Sequence, residues 1–335
     1  MVDIASGFLH RWKWAILSVG VAIILVIIFI FWAGLAPVNS AANGGQVTFT
    51  VQRGQGFFEI ARALTAAHLL RSKPVGEARA FADGNAFRMQ AGTYRLAPAM
   101  SGAAILHELS SGAPAVTVTI AEGENIYEID KTLADDGVIQ RGDLINFKSD
   151  GELEGKLFPD TYQFFGGSDI SVVIQKFLDN FNGKAVPLLP ADAKNAEGDL
   201  TLASIIQKEA PDAHDQSIIA GIIEKRIADG MRLQVDATVC YAKQIALPSE
   251  VVDCSALTRA DFTSDSPYNS DYNTYLHAGL PPGPIGNPGI AAITAALHPI
   301  SSSYLYYISD PATGKIYYAS TLAEQEANIK KYLGE

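Results

Sequence analysis

One acid stands inside an apolar run: Glu209, in Leu202-Ala-Ser-Ile-Ile-Gln-Lys-Glu-Ala210. On a helix, at about 100° per residue, Leu202, Ile205, Ile206 and Glu209 share one stripe, so the carboxylate points from the middle of the apolar face. Gln207 and Lys208 face elsewhere. Lost hydration disfavours the charged form, raises the pKa and leaves a neutral carboxylic acid able to donate a proton near pH 7. That is the profile of a general acid. A Glu near a helix end also has bland explanations: snorkelling, pairing with an Arg, or a place just past the helix. The segments from Arg226 to Val239 and from Gly279 to Pro288 favour chemistry. Gln234 and Asp236 lie two residues apart, on one face if the segment is extended, and an amide beside a carboxylate suits hydroxyl groups. Asp236 equally suits a turn or helix cap. Further on, Tyr272 and Tyr275 suit stacking on sugar rings and Asn273 suits hydrogen bonds to their substituents, in a loop that prolines and glycines make stiff. Structural packing of the tyrosines is the alternative. No Lys-Ser or Lys-Thr follows these glycines, so they form no phosphate loop.

These residues need a framework, and 335 residues with 48% hydrophobic content can supply a core for two or three domains. Part of that hydrophobicity is local. Ala15 to Leu35 carries no charge, and a run of about 20 apolar residues matches the thickness of a bilayer core. Small residues between Ala33 and Ala42 would suit a cleaved signal peptide. The run exceeds the usual h-region of ~7–15 residues, however, which favours an uncleaved anchor. Arg11 and Lys13 precede it and the next basic residue is Arg53, so the N-terminus is expected in the cytoplasm and nearly everything else outside. A formal net charge of −11 argues against nucleic acid or an anionic surface as the main partner. Cys240 and Cys254, fourteen residues apart in the exported part, permit a disulfide without proving one. No Cys-x-x-Cys or paired-His spacing suggests a metal, and no cofactor is expected.

Residues 37–46 read as a flexible linker. An internal repeat follows, with Val47 to Ile60 set against Val116 to Ile129 at a constant offset (116 − 47 = 69). Val47, Thr50, Gly54, Glu59 and Leu64 recur as Val116, Thr119, Gly123, Glu128 and Leu133. Each copy reads as a strand, a Gly turn and an amphipathic helix. This pattern resembles the LysM type of small carbohydrate-binding module; a scaffold that never touches glycan is the other reading. A short strand at Ala91 to Leu96 and a helix at Ala103 to Ser110 lie between the copies. The expected organisation is a cytoplasmic N-terminus over 1–14, a transmembrane anchor over 15–36, the linker, a LysM-like region over 47–142 and a mixed α+β catalytic domain over 143–335. Within the last, helices are expected over Ile170 to Phe181, around Glu209, over Gln216 to Asp229 and over Leu322 to Leu333. A hairpin is expected from Tyr304-Leu-Tyr-Tyr-Ile-Ser309 and Lys315-Ile-Tyr-Tyr-Ala319.

In this order, Leu153-Glu-Gly-Lys-Leu-Phe-Pro-Asp-Thr-Tyr162, the Glu209 segment, Met231-Arg-Leu-Gln-Val-Asp-Ala-Thr-Val239 and Tyr272-Asn-Thr-Tyr275 with Gly279-Leu-Pro-Pro-Gly-Pro-Ile285 resemble the endolytic murein transglycosylases, the MltG or YceG-like family. The resemblance implies a single-pass bacterial inner-membrane enzyme whose periplasmic domain cleaves nascent peptidoglycan strands internally, with Glu209 as its catalytic acid and no cofactor. Gln234, Asp236, Tyr272, Asn273, Tyr275 and Glu154 would then bind the glycan, and peptidoglycan synthases of the penicillin-binding type would be candidate partners. Gln207 stands where relatives often carry another acid, which removes a rival to Glu209. Ala237 stands where an Asp-Pro-Thr is usual, and Tyr268-Asn269 before Tyr272-Asn273 looks like a short insertion or duplication. A two-carboxylate hydrolase using Glu154 or Asp236, or a noncatalytic cell-wall module, are the rival readings.

Overall fold

The computed structural model describes residues 3–39, 47–52, 54–113, 115–148, 152–310 and 313–334. It is mixed α+β, and it opens with α1 (Asp3–Leu35). Within α1, Ile16–Leu35 is long and apolar enough to cross a bilayer. The chain forms two compact units, Met1–Ala115 with Phe165–Gly167, and Val116–Phe164 with Ser168–Glu335.

After α1 the first unit contains β1 (Val47–Val51), α2 (Phe57–Ala66), α3 (Lys73–Ala82), β2 (Gly92–Leu96) and α4 (Gly102–Ser111). β1 pairs antiparallel with β2, matching Phe49 with Tyr94. The period-two alternation turns Phe49, Val51, Tyr94 and Leu96 inward, where they join Ile60, Leu64 and Ile105 in one core. Of the expected linker, Pro37 and Asn39 are held against this unit: Arg71 Nη2 donates to Pro37 O at 2.7 Å and Asn39 N to Pro98 O at 3.1 Å. Residues 40–46, and Arg53, lie outside the described residues.

The second copy of the repeat reproduces the first. β3 (Ala115–Thr119), the turn at Gly123 and α5 (Ile126–Asp135) follow β1, Gly54 and α2, and the helices keep the offset found in the sequence (126 − 57 = 69). Both glycines have positive φ, 77° and 86°, the left-handed conformation that disfavours a side chain. The duplication extends to the closing strand, β4 (Thr161–Phe165), which pairs with β3. Tyr94 donates to Gln90 O at 2.7 Å and Tyr162 to Phe158 O at 2.5 Å, each four residues back. Thr50–Thr93 and Thr119–Thr161 hydroxyl pairs bridge the two strand pairs. Tyr162 is displaced from Tyr94 by 68 residues (162 − 94), not 69, and that slip hides the closing strand from a fixed-offset comparison.

The division between units falls at Ala115/Val116 rather than at residue 143. Val118, Ile129 and Leu133 of the second repeat share a core with Leu157, Phe164 and Phe177, so this copy folds with the C-terminal region. That region continues through α6 (Ile170–Lys184), α7 (Ala193–Glu209), α8 (Ala213–Ala228), α9 (Asp236–Ala246), α10 (Ile290–Leu297), β5 (Tyr306–Ser309), β6 (Ile316–Ala319) and α11 (Leu322–Tyr332). α7, α8 and α10 pack through Ile205, Ile206, Ile219, Ile223 and Ile293, all essentially buried. β5 and β6 form the expected antiparallel hairpin. The segment 232–239 is not extended: Gln234 has φ 54° and α9 begins at Asp236. A disulfide joins Cys240 on α9 to Cys254, with Cα atoms 5.4 Å apart.

Candidate active site

α7 begins at an Asp192 cap, whose side chain accepts from Asn195 N, and it ends at Glu209 because Ala210 is extended (ψ 136°). Pro211 follows, and the residue before a proline is pushed out of the helical region. Leu202, Ile205 and Ile206 face the core, as the helical spacing requires, while Glu209 is half-buried at the lip of a cavity of about 760 Å³. Arg226, Gln234, Asp236, Tyr275 and Tyr307 share that cavity with it.

The Tyr307 hydroxyl donates to Glu209 Oε2 at 2.8 Å. Among the described residues no protein group occupies Oε1, which leaves that oxygen for a ligand. The Glu209 carboxyl is pushed up to about 7, chiefly because protein atoms crowd it and strip its hydration. Tyr307 opposes the shift by bonding the charged form, and the negative charge of Asp236 adds to it. The C-terminal end of α7 also disfavours a negative charge there. Burial and the adjoining Glu209 carboxylate push the Tyr307 hydroxyl well above its ordinary range, so it stays a donor.

Three neighbours are fixed by the backbone around them. Gln234, in a left-handed conformation that costs a non-glycine residue about 1–2 kcal/mol, is held by Gln234 N donating to Thr274 O at 3.1 Å. Its Oε1 accepts from Arg226 Nη2 at 3.1 Å, which orients the side chain and leaves its amide NH₂ for a ligand. Arg226 also donates to Arg232 O and Leu305 O. No carboxylate pairs with it among the described residues, and it presents an uncompensated cation to the cavity. Asp236, in the first turn of α9, accepts from Tyr275 OH at 2.5 Å. Thr274 Oγ1 accepts from Val235 N and meets Thr238 Oγ1 at 2.9 Å, clamping the loop to the start of α9.

The other three residues expected at the site are not among those lining this cavity. Asn273 is 1% exposed, and its Oδ1 caps Tyr275 N at 3.0 Å; it shapes the loop. The Tyr272 ring packs against Tyr241 with centroids 5.0 Å apart. Glu154 is buried, accepting from Ile126 N (3.1 Å), Tyr241 OH (2.8 Å) and Asn287 Nδ2 (2.9 Å). It lines a separate cavity of about 280 Å³ with Phe181, Leu189, Leu200 and Pro284. Burial pushes its carboxyl up to about 7, opposed by the Ile126 and Tyr241 hydrogen bonds. Tyr307, Arg226 and Thr274 complete the Glu209 site, yet no local pattern singles them out. Tyr307 reaches Glu209 across 98 residues of sequence.

The proline-rich loop is locked from below. Ile285 N donates to Ser204 Oγ and Gly289 N to Gln207 Oε1, so the Gln207 amide ties α7 to the cap of α10. Gly286 approaches Gly123 so closely that a Cβ there would lie 2.5 Å from Gly123 O. Gly286→Ala is expected to cost roughly 1–3 kcal/mol by overpacking a backbone contact. Urea unfolding of the two proteins measures this, and an unchanged midpoint would refute it.

A carboxyl pushed up to about 7, in a groove of tyrosine hydroxyls, an amide, an arginine and a second carboxylate, has the chemistry that a general acid–base site requires. The chain belongs to the YceG-like family, whose pattern it matches over residues 49–331. It is similar to the endolytic murein transglycosylase of Bacillus subtilis, with 31% identity covering 73% of each chain. The enzyme of the same name from Streptococcus pneumoniae D39 is 28% identical over 73% of this chain, which spans 51% of that relative's length. A crystal structure of a YceG-like protein from Listeria monocytogenes superposes with a TM-score of 0.52 at 27% identity, covering 85% of this chain and 99% of that one.

Proposed function

We propose that this chain is an endolytic lytic transglycosylase that cuts peptidoglycan strands internally, with Glu209 as both acid and base. The observation that carries the reading is Glu209 itself, with one oxygen fixed by Tyr307, the other unclaimed, and its carboxyl pushed up to about 7. The protonated acid gives its proton to the glycosidic oxygen between N-acetylmuramic acid and N-acetylglucosamine. The resulting carboxylate takes the proton from the muramyl 6-hydroxyl, which attacks C1 and closes a 1,6-anhydro ring. No water is consumed. Gln234, Asp236 and Tyr275 hold sugar hydroxyls, while Arg226 suits a substrate carboxylate. Tyr272 belongs to a more distant subsite if it meets glycan. In this reading α1 anchors the enzyme in the inner membrane with its N-terminus in the cytoplasm. The first β-α-α-β unit is a LysM-like glycan holder, and synthases that make the strands are natural partners.

Mass spectrometry of digested strands tests the chemistry. Anhydromuramyl ends are expected; ordinary reducing ends would instead support the two-carboxylate hydrolase, for which Asp236 is the candidate because it shares the Glu209 cavity. A second test is the pH profile of Tyr307→Phe. Removing a donor to the charged carboxylate raises the Glu209 pKa further, so the acid stays protonated to higher pH. The alkaline fall in kcat/KM is expected to move up by roughly one pH unit, with a lower maximum. A profile that scales down without shifting would rule out this coupling.

A further inference from the structure

The first unit carries an aromatic cluster that the chemistry above does not use. Phe58 (56% exposed), Phe81 (43%) and Phe87 (81%) stand on its surface beside half-buried Phe57. Their rings are contiguous, with centroids 5.4 Å apart for Phe57–Phe81, 5.9 Å for Phe58–Phe81 and 5.6 Å for Phe81–Phe87. Apolar surface residues are usually scattered singly, and a joined group of large ones marks a contact surface.

Two contacts give α3 a direction. Val75 presses on α1 at Gly34, where an added Cβ would lie 2.8 Å from Val75 Cγ2. One turn further along α3, Arg79 lines a cavity with Phe31 and Trp32, which lie one turn earlier in α1. α3 therefore runs antiparallel along the last turns of the span itself, and Phe81, two positions beyond Arg79, lies further along in the same direction. No slack separates the unit from that span. Leu35, the last residue of α1, is only 9% exposed and lies against Gly102, and Arg71 holds Pro37.

We infer that Phe58, Phe81 and Phe87 lie in the interfacial layer of the same bilayer that α1 crosses, so that the unit rests on the membrane as well as being tethered to it. This rests on the reading of α1 as an anchor. The chemistry of the rim fits lipid headgroups: Arg62 follows Phe58 by one turn on α2 and Arg88 adjoins Phe87, a mixture of rings and cations typical of interfacial surfaces. Of the nearby acids, Asp83 is bonded to Arg79 Nε at 2.6 Å, and Glu59 stands exposed beside Phe58 in the first turn of α2. Contact at the span and at the cluster would fix both the height and the rotation of this unit on the membrane.

The test uses the full chain in phosphatidylethanolamine–phosphatidylglycerol vesicles, with its two native cysteines paired. Single cysteines replacing Phe58, Phe87, Ile24 in the middle of the span, or Arg95 on the outer face of the β1–β2 sheet are spin-labelled. Collision rates with oxygen and with a water-soluble nickel chelate are then compared. Labels at 58 and 87 are expected to favour oxygen several-fold more than the label at 95, though less than the label at 24. A label at 24 that meets the nickel chelate freely would sink the anchor reading itself. Lipid exposure at 24 with water exposure at 87 would overturn membrane contact by the cluster while sparing the anchor. Labels at 58 and 87 shielded from both probes would overturn it in favour of a protein partner.

Discussion

Glu209→Gln is expected to reduce the yield of anhydromuramyl ends by about 10³-fold or more, since one group serves as both acid and base and each role is worth some 10²–10⁴ in rate. The amide keeps the shape of the side chain and can still accept from Tyr307 through its oxygen, so folding is not the cause of the loss. Stability should move the other way. A carboxyl whose pKa is raised in the folded state, here to about 7, stabilises the fold most while protonated. Its contribution is intact below the unfolded value near 4.5, is lost as pH rises towards 7, and is gone above that. The substitution is therefore expected to leave stability nearly unchanged at pH 4 and to raise it by about 2 kcal/mol at pH 8, a figure reduced for water in the cleft. Thermal melts at the two pH values measure this. An active Glu209→Gln enzyme, or one with the same pH dependence of melting as the parent, would remove Glu209 from its assigned role.

What could be read from the chain and what could not divide along the range of the interactions. Glu209 was legible because its environment is set by residues three, four and seven positions back on one helix. The repeat was legible for the same reason, as strand, turn and helix are local. Gln234 and Asp236 do line the cavity, but by a left-handed residue followed by a helix start, not by the alternation of a strand. The β-branched and aromatic residues of Thr238-Val-Cys-Tyr241 disguise α9, which its burial and its disulfide stabilise in place of propensity. Tyr307 and Arg226 come to Glu209 through packing of the hairpin and α8, and no spacing encodes that. Motif resemblance grouped Glu154, Tyr272 and Asn273 with the site, whereas their positions in the fold give them contacts elsewhere. A motif marks residues a fold requires, and some of those requirements are structural.

Glu154 shows the difference most sharply. Its two oxygens accept from Ile126 N at the start of α5, from Tyr241 on α9 and from Asn287 before α10. Asn287, fully buried, in turn accepts from Leu157 N and donates to Glu124 O. Four chain segments therefore meet through one carboxyl. Glu154→Ala would strand three buried donors, each costing about 1–3 kcal/mol when unpaired, and would enlarge the adjoining cavity. Because the freed groups relax and water can enter the neighbouring space, a loss of about 3–5 kcal/mol is expected in chemical unfolding, among the larger effects of any single substitution. At a temperature where the variant remains folded by circular dichroism, it should still make anhydromuramyl ends, because its carboxyl lines a different cavity from that of Glu209. A folded Glu154→Ala protein that binds strands but cuts none would return Glu154 to the chemistry and revive the two-carboxylate mechanism. Unchanged stability would instead show that the Glu154–Asn287 junction does not hold the domain together.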